Sequence, residues 1–282
     1  MESLIALKEH TYFELKKDIL KLESKYPFLS VKKLASSCLM QDIYTLDIGC
    51  GKNPVYFLAP FAGYDRLPSV ILLKFAEELL HCLHTGKSMA SLDVRKATAD
   101  KSICIIPVIN PDGYEISLKK QTLDRCLDAA LYKNLKGDYS SFAANLRGID
   151  LEYNFLKVAR GFPSKSGFGG YSPLSEPESL GLAERLRKKT PRHIINLTSG
   201  NNEIIKYSPS SLKRSEKMAQ IMRAITGFSV KENLNDNSSF GYYFKTEFLK
   251  PYFNVKLGGL NPDTLYESYN KIKELLILSA IM

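Results

Sequence analysis

The sequence predicts an α/β fold, a mixed, mostly parallel twisted sheet with helices on both faces. Three observations predict it. Segments with strand character alternate along the chain with segments of helical periodicity. Most strand segments are apolar at successive positions rather than at every second one, as in sheets covered on both sides. No internal repeat and no linker interrupts the 282 residues, so 1–282 reads as one domain.

Residues 11–25 carry apolar side chains at helical spacing, and Thr11 with Glu14 has the form of a capping box. Pro27 ends that helix. DIYTLDIGC (42–50) alternates as a strand does. Gly51-Lys52-Asn53-Pro54 is a turn, and VYFLAPF (55–61) is a continuous apolar run of the doubly covered kind. Residues 68–83 make a long helix. SICIIPVIN (102–110) is a buried strand, followed by a turn at Pro111-Asp112-Gly113. Residues 115–175 form a long irregular stretch of the kind that carries function. Pro177 sits near the start of a helix over 175–189. HIINLTS (193–199) is a buried strand, 215–226 a helix, FNVKL (253–257) a strand and 263–280 a closing amphipathic helix.

Hydrophobic residues at 44% and charged residues at 24% are globular values, which exclude disorder and low complexity. The longest apolar stretch, Leu275–Met282, falls far short of the ~20 residues of a membrane helix. The first residues are charged throughout, with no apolar leader core, so the expected location is the cytoplasm. A net charge of +9 is scattered along the chain, and its densest clusters, Lys32-Lys33 and Arg185 to Lys189, read as solvated faces. Neither nucleic acid nor membrane is therefore an expected partner. The five cysteines, Cys38, Cys50, Cys82, Cys104 and Cys126, are odd in number and lack CxxC spacing. They read as reduced, mostly buried thiols.

Five segments, in order over nearly the whole chain, resemble the M14 family of zinc carboxypeptidases. YPFLSVKKLASSCLMQDIYTLDIG (26–49) is similar to the opening of such an enzyme. IIPVINPDGYEIS (105–117) contains NPDGYE, a strong signature of that family. RGIDLEYNF (147–155) resembles RGVDLNRNF, and PLSEPESLGLAERLRKKTPRHIINLTSGNNEIIKYSP (173–209) resembles PLSEPET…INLHSQGEEIYW. KPYFNVKLG (250–258) resembles KPGFTIEIG. The likeness is strongest to bacterial members that trim peptidoglycan peptides, the γ-D-glutamyl-diamino-acid peptidases. It implies the zinc carboxypeptidase fold.

The same resemblance assigns the family's chemistry to particular positions. The first two zinc ligands come from an HxxE motif, matched here by Ala62-Gly63-Tyr64-Asp65. The third ligand, a histidine after the IIN-type strand, falls on Thr198. The asparagine-arginine pair that grips a terminal carboxylate falls on Glu152 and Tyr153, and a further basic residue upstream on Ala143. The general-base glutamate falls on Lys256, and a tyrosine of the preceding loop has no counterpart in 229–239. A catalytic zinc needs about three protein ligands and an open water position. Ala62 has no donor atom and Thr198 only a neutral hydroxyl. An ammonium ~4 Å from the metal, at an effective dielectric of ~20, would be repelled by roughly 8 kcal/mol. A protonated lysine also takes no proton from water.

The resemblance therefore implies an inactive homologue without zinc or another cofactor, which binds a peptide-like ligand or a protein partner. The alternative is a working zinc carboxypeptidase, or a peptidoglycan-peptide peptidase, with displaced ligands. Lys256 is expected to pair with Asp65 or Glu152 near the old metal position. Asn154, Tyr242 and Tyr243 are candidate ligand contacts, although Asn154, with Phe155 and the NPDGY turn, also reads as scaffold that shapes loops and core, and Tyr242 and Tyr243, with Phe240 and Phe244, equally suit core packing. His81 and His84 read as a helix end, His193 as structural, and the glycine-rich 167–170 as a surface loop.

Overall fold

The computed structural model describes residues 4–118, 139–156, 161–209, 212–233, 236–259 and 264–282. Cys126 and parts of the irregular stretch lie outside them. Helix α1 (Tyr12–Lys25) opens on the capping box read from the sequence, Thr11 and Glu14 each taking the other's backbone amide. The hairpin β1 (Ser30–Ser36) and β2 (Asp42–Gly49) follows, then β3 (Val55–Leu58), α2 (Leu67–Thr85), α3 (Val94–Ala97) and β4 (Ser102–Ile106). Next come α4 (Pro111–Ser117), a 3-10 turn (Leu151–Tyr153), α5 (Pro177–Lys188), β5 (His193–Ser199) and β6 (Glu203–Tyr207). The chain ends with α6 (Lys213–Thr226), β7 (Ser229–Glu232), α7 (Phe240–Phe248), β8 (Tyr252–Leu257) and α8 (Leu265–Ile281).

Eight strands form one sheet in the order β1-β2-β4-β3-β5-β8-β6-β7. The pairs β3–β4, β3–β5, β5–β8 and β6–β7 are parallel; β1–β2, β2–β4 and β6–β8 are antiparallel. This is the mixed, mostly parallel sheet that the sequence predicts. Successive residues of the central strands face opposite cores. Val55, Phe57, Ile103, Ile105, Ile195 and Leu197 pack with α1, α2, α6 and α8. Tyr56, Leu58, Cys104, Ile106, Ile194 and Tyr252 pack with α5 and α7. Burial on both faces is why these strands read as continuous apolar runs.

The structure corrects some local readings. Pro111-Asp112-Gly113 opens helix α4 rather than a simple turn. The Asn110 side chain caps it by accepting from Gly113 N at 2.9 Å, and Pro111 lacks an amide where none would be paired. The segment 167–170 is not a surface loop, because Phe168, Gly169 and Gly170 are buried. Gly169 lies against the backbone of Tyr153, where a Cβ would meet the Tyr153 carbonyl oxygen at 2.4 Å. Cys82 and Cys104 are buried, but Cys38 is half-buried and Cys50 is exposed where the chain leaves β2, and these four thiols are free. Among the described residues no helix is long and apolar enough to cross a membrane.

Candidate functional site

Strands β3, β5 and β8 run parallel and end side by side. The loops leaving them enclose a cleft of about 540 Å³. Crevices at the carboxyl ends of α/β strands are where such sheets bind ligands. Ala62 and Asp65 come from the loop after β3, Thr198 and Ser199 from the end of β5, Lys256 from β8 and Tyr207 from β6. Ala143, Glu152 and Tyr153 come from the irregular stretch and Asp236 from the loop before α7. Seven positions singled out in the sequence, Ala62, Asp65, Ala143, Glu152, Tyr153, Thr198 and Lys256, thus line one cavity.

Asp65 is buried and already satisfied by Ser199, whose backbone amide reaches one carboxylate oxygen at 2.7 Å and whose hydroxyl reaches the other at 2.5 Å. Burial pushes its carboxyl up, against the pull of those two bonds. The Thr198 hydroxyl donates to Asn254 Oδ1 at 2.8 Å. Lys256 does not take the partners expected from the sequence. Its ammonium lies 3.2 Å from Glu203 Oε1, and Glu203 also holds Lys231 at 2.6 Å. The reason is register: Glu203 on β6 stands directly opposite Lys256 on antiparallel β8, at cross-strand distance. Lys231 and Lys256 together hold the Glu203 carboxyl below its usual range.

The other wall is acidic. Burial, reinforced by the charges of Asp150 and Asp236, pushes the Glu152 carboxyl well above its usual range; the Phe240 amide and the Lys256 ammonium pull the other way. Asp150 is buried at the start of the 3-10 turn and accepts from Gly167 N at 2.8 Å. Burial would also raise Asp236, but donors from Ser239, Ser238 and Tyr207 outweigh it and hold its carboxyl low. The Tyr207 hydroxyl donates to Asp236 Oδ2 at 3.1 Å. Lys165 brings a cation to the rim, its Nζ 3.0 Å from the Ser141 hydroxyl. Asp150, Lys165, Tyr207, Asp236 and Ser199 are cleft residues that the sequence reading did not single out.

Beneath the cleft, asparagines tie the loops together. Asn110 Nδ2 donates to the carbonyls of Phe61, Ala143 and Ala144 at 3.0, 3.0 and 3.1 Å. Gly63 packs so closely on α4 that a Cβ there would sit 2.2 Å from the Gly113 carbonyl carbon. Asn154 is fully buried; its amide donates to Gly169 O at 2.7 Å and Ser175 Oγ at 2.9 Å, and its oxygen accepts from Glu176 N at 3.2 Å. Asn154 therefore holds loops and does not line the cleft. Tyr243 is buried with Phe240, Phe244 and Phe155 in the second core, and Tyr242 packs at its edge. The structure thus places both tyrosines in packing rather than in the cavity wall. His84 packs edge-on to Tyr26, and burial pushes His193 down to about 3, which keeps it neutral.

The sequence profile of the family described as "Zinc carboxypeptidase" (Peptidase M14) matches residues 15–266. This chain belongs to that family. Among its relatives is the "Gamma-D-glutamyl-L-diamino acid endopeptidase 1" of Lysinibacillus sphaericus. It is 24% identical over 276 residues, which is 92% of this chain and 69% of the relative. The "Uncharacterized protein YqgT" of Bacillus subtilis (strain 168) is 24% identical over 265 residues, 88% of this chain and 70% of that one. Thrombin activatable fibrinolysis inhibitor shares the fold with a TM-score of 0.74 at 17% identity, covering 99% of this chain and 79% of that one. The murein-tripeptide amidase MpaA of Escherichia coli O157 superposes at 0.56 with 15% identity, over 88% of this chain and 91% of its own.

Proposed function

We propose that this chain is a non-catalytic member of the zinc carboxypeptidase family whose cleft binds a peptide-like ligand. The observation that carries the reading is the donor set where the family resemblance places zinc. Ala62 has no donor atom, and the Thr198 hydroxyl is given to Asn254. Asp65 is the one carboxylate, and Ser199 occupies both its oxygens. These residues do not fit a zinc site, which takes three or four N, O or S ligands. At the position of the general base, Lys256 is a cation held by Glu203 and accepts no proton from water.

The rest of the cleft supports a changed ligand preference. Glu152 and Tyr153 stand where the family grips a terminal carboxylate, so the bidentate guanidinium fork is missing. Asp65, Asp150, Glu152 and Asp236 line the cavity together with Lys165 and Lys256, so carboxylates outnumber cations there. Such a wall favours a ligand that brings an amine. The relative from Lysinibacillus sphaericus is named for bonds to an L-diamino acid, and a peptide carrying a diamino acid would supply that amine.

Calorimetric titration with matched peptides tests this. A lysine-containing peptide should bind about tenfold more tightly than its norleucine counterpart, and its free acid should bind no better than its amide. A free acid preferred by about tenfold or more would count against the reading. Zinc-dependent release of a C-terminal residue, abolished by Asp65→Asn, would establish the alternative of a working peptidase.

A further inference from the structure

A second polar cluster lies where the tip of the β1–β2 hairpin meets the start of α5, among residues that do not line the cleft. Cys38 sits in the hairpin turn, Glu176 immediately precedes α5, and Glu178 lies in its first turn. One donor atom from each of the three lies within 4.8 Å of the others, the one such grouping among the described residues. The turn is firmly held. Ser37 Oγ donates to Asp112 Oδ1 at 2.5 Å, Leu39 N to Asp112 Oδ2 at 3.1 Å, and Met40 N to Ser37 O at 3.0 Å.

The two glutamates differ in how they are satisfied. Glu176 accepts from Asn145 Nδ2 at 2.7 Å and Ser175 Oγ at 3.0 Å, with Arg147 at 3.6 Å. Glu178 is fully buried, and neither of its carboxylate oxygens makes a hydrogen bond of normal geometry; its own backbone amide and the Asn145 amide are the donors that approach it. Buried polar groups in native folds are almost always paired, so an orphaned carboxyl aimed at a thiol and a second carboxyl points to a missing partner.

We propose that Cys38, Glu176 and Glu178 bind a divalent, borderline-soft cation, with zinc the best match to a thiolate and two carboxylates. Around zinc, with Zn–S about 2.3 Å and Zn–O about 2.0–2.2 Å, ligand atoms stand roughly 3.3–3.7 Å apart. Cys38 Sγ is 4.0 Å from Glu176 Oε2, so small side-chain rotations close the site. The thiol proton leaves to solvent as the sulfur–metal bond forms. Half-exposed Cys38 gives the ion its entry and leaves a fourth position to water. Asn145 and Ser175 orient the Glu176 ligand in the way that outer hydrogen bonds support metal sites. The ion would pin the hairpin to α5.

Cobalt titration of the full, chelator-treated chain tests the site, because a cobalt thiolate gives a near-ultraviolet charge-transfer band. The expected result is one cobalt per chain with that band, displaced by zinc. Cys38→Ser should abolish the band, and Glu178→Gln should weaken cobalt binding by about tenfold or more. Cys50→Ser, at the exposed thiol, and Asp65→Asn, in the cleft, should leave it unchanged. No band in the wild type, a band that survives Cys38→Ser, or one lost with Cys50→Ser or Asp65→Asn would overturn the proposal. Cys38→Ser is isosteric and sits in a half-exposed turn, so it decides the matter even if Glu178→Gln does not fold. The Asp65 variant keeps this test separate from that of the cleft.

Discussion

Asn110, Asn145 and Asn154, beneath the cleft, commit their amides to the backbones and caps of neighbouring loops. Ala62, Thr198 and Lys256, on the cleft wall, face an open cavity, and the two polar ones are paired within the neighbouring strands β6 and β8. The asparagine layer is fully buried, so each unmade bond there would carry its whole desolvation cost. The wall is bordered by solvent, and its side chains can change without orphaning a buried group. The architecture of a carboxypeptidase cleft therefore depends on the layer below it, and the chemistry displayed on its wall is free to differ.

The largest expected effect comes from breaking the lower layer. Asn110→Ala leaves the Phe61 and Ala144 carbonyls and the Gly113 amide short of a partner, the Ala143 carbonyl keeping the Gly63 amide, and should cost about 3–5 kcal/mol in urea unfolding. A loss under about 1 kcal/mol would break the contrast between layer and wall. A smaller effect of opposite sign is expected on the wall. The folded-state value of Glu152 is raised above its usual 4.5. The folded chain thus keeps a proton that the unfolded chain releases. That contribution to stability is complete below about pH 4.5 and is lost as pH rises through the raised folded value. Glu152→Gln should flatten this slope and gain about 1 kcal/mol at pH 8. An unchanged slope in denaturation midpoints from pH 5 to 8 would count against it. The smallest effect is that of zinc on the cleft. In a Cys38→Ser background, excess zinc should move the melting temperature by no more than about 1 °C, since stabilisation by a ligand scales as RT ln(1+[L]/Kd). A rise of several degrees removed by Asp65→Asn would sharpen the site into a working metal centre.

The sequence carried the lower layer openly. NPDGYE, RGIDLEYNF and PLSEPES contain Asn110, Asn154 and Glu176, and their order along the chain placed the cleft. Thr198 and Lys256 fall inside resembling segments, and Ala62 and Asp65 in the stretch Ala62-Gly63-Tyr64-Asp65 that matches the HxxE motif between a strand and the next helix. Lys256's partner was not legible, because Glu203 meets it only through the register of β6 against β8, strands about fifty residues apart with two helices and a strand between them. Asp236 and Lys165 come from loops, where no periodicity reports which side chain turns inward. Asn154 kept two readings, ligand contact and scaffold, for a related reason: a polar residue in a motif looks the same whether it touches a ligand or ties two loops together. The tyrosines of α7 resisted assignment because aromatic spacing in a helix does not reveal which core it serves.

The contact between Gly63 and Gly113 leaves no room for even a methyl group. The loop bearing Ala62 and Asp65 is therefore seated on the backbone of α4. A loop seated in that way keeps its shape when its side chains are exchanged. On the proposed reading, the metal ligands and general base are four side chains away, Ala62→His, Asp65→Glu, Thr198→His and Lys256→Glu, while the carboxylate grip would need changes at Ala143, Glu152 and Tyr153 as well. The same seating limits what the cleft can become, since any ligand it holds must fit the dimensions that the backbone of this loop and α4 sets.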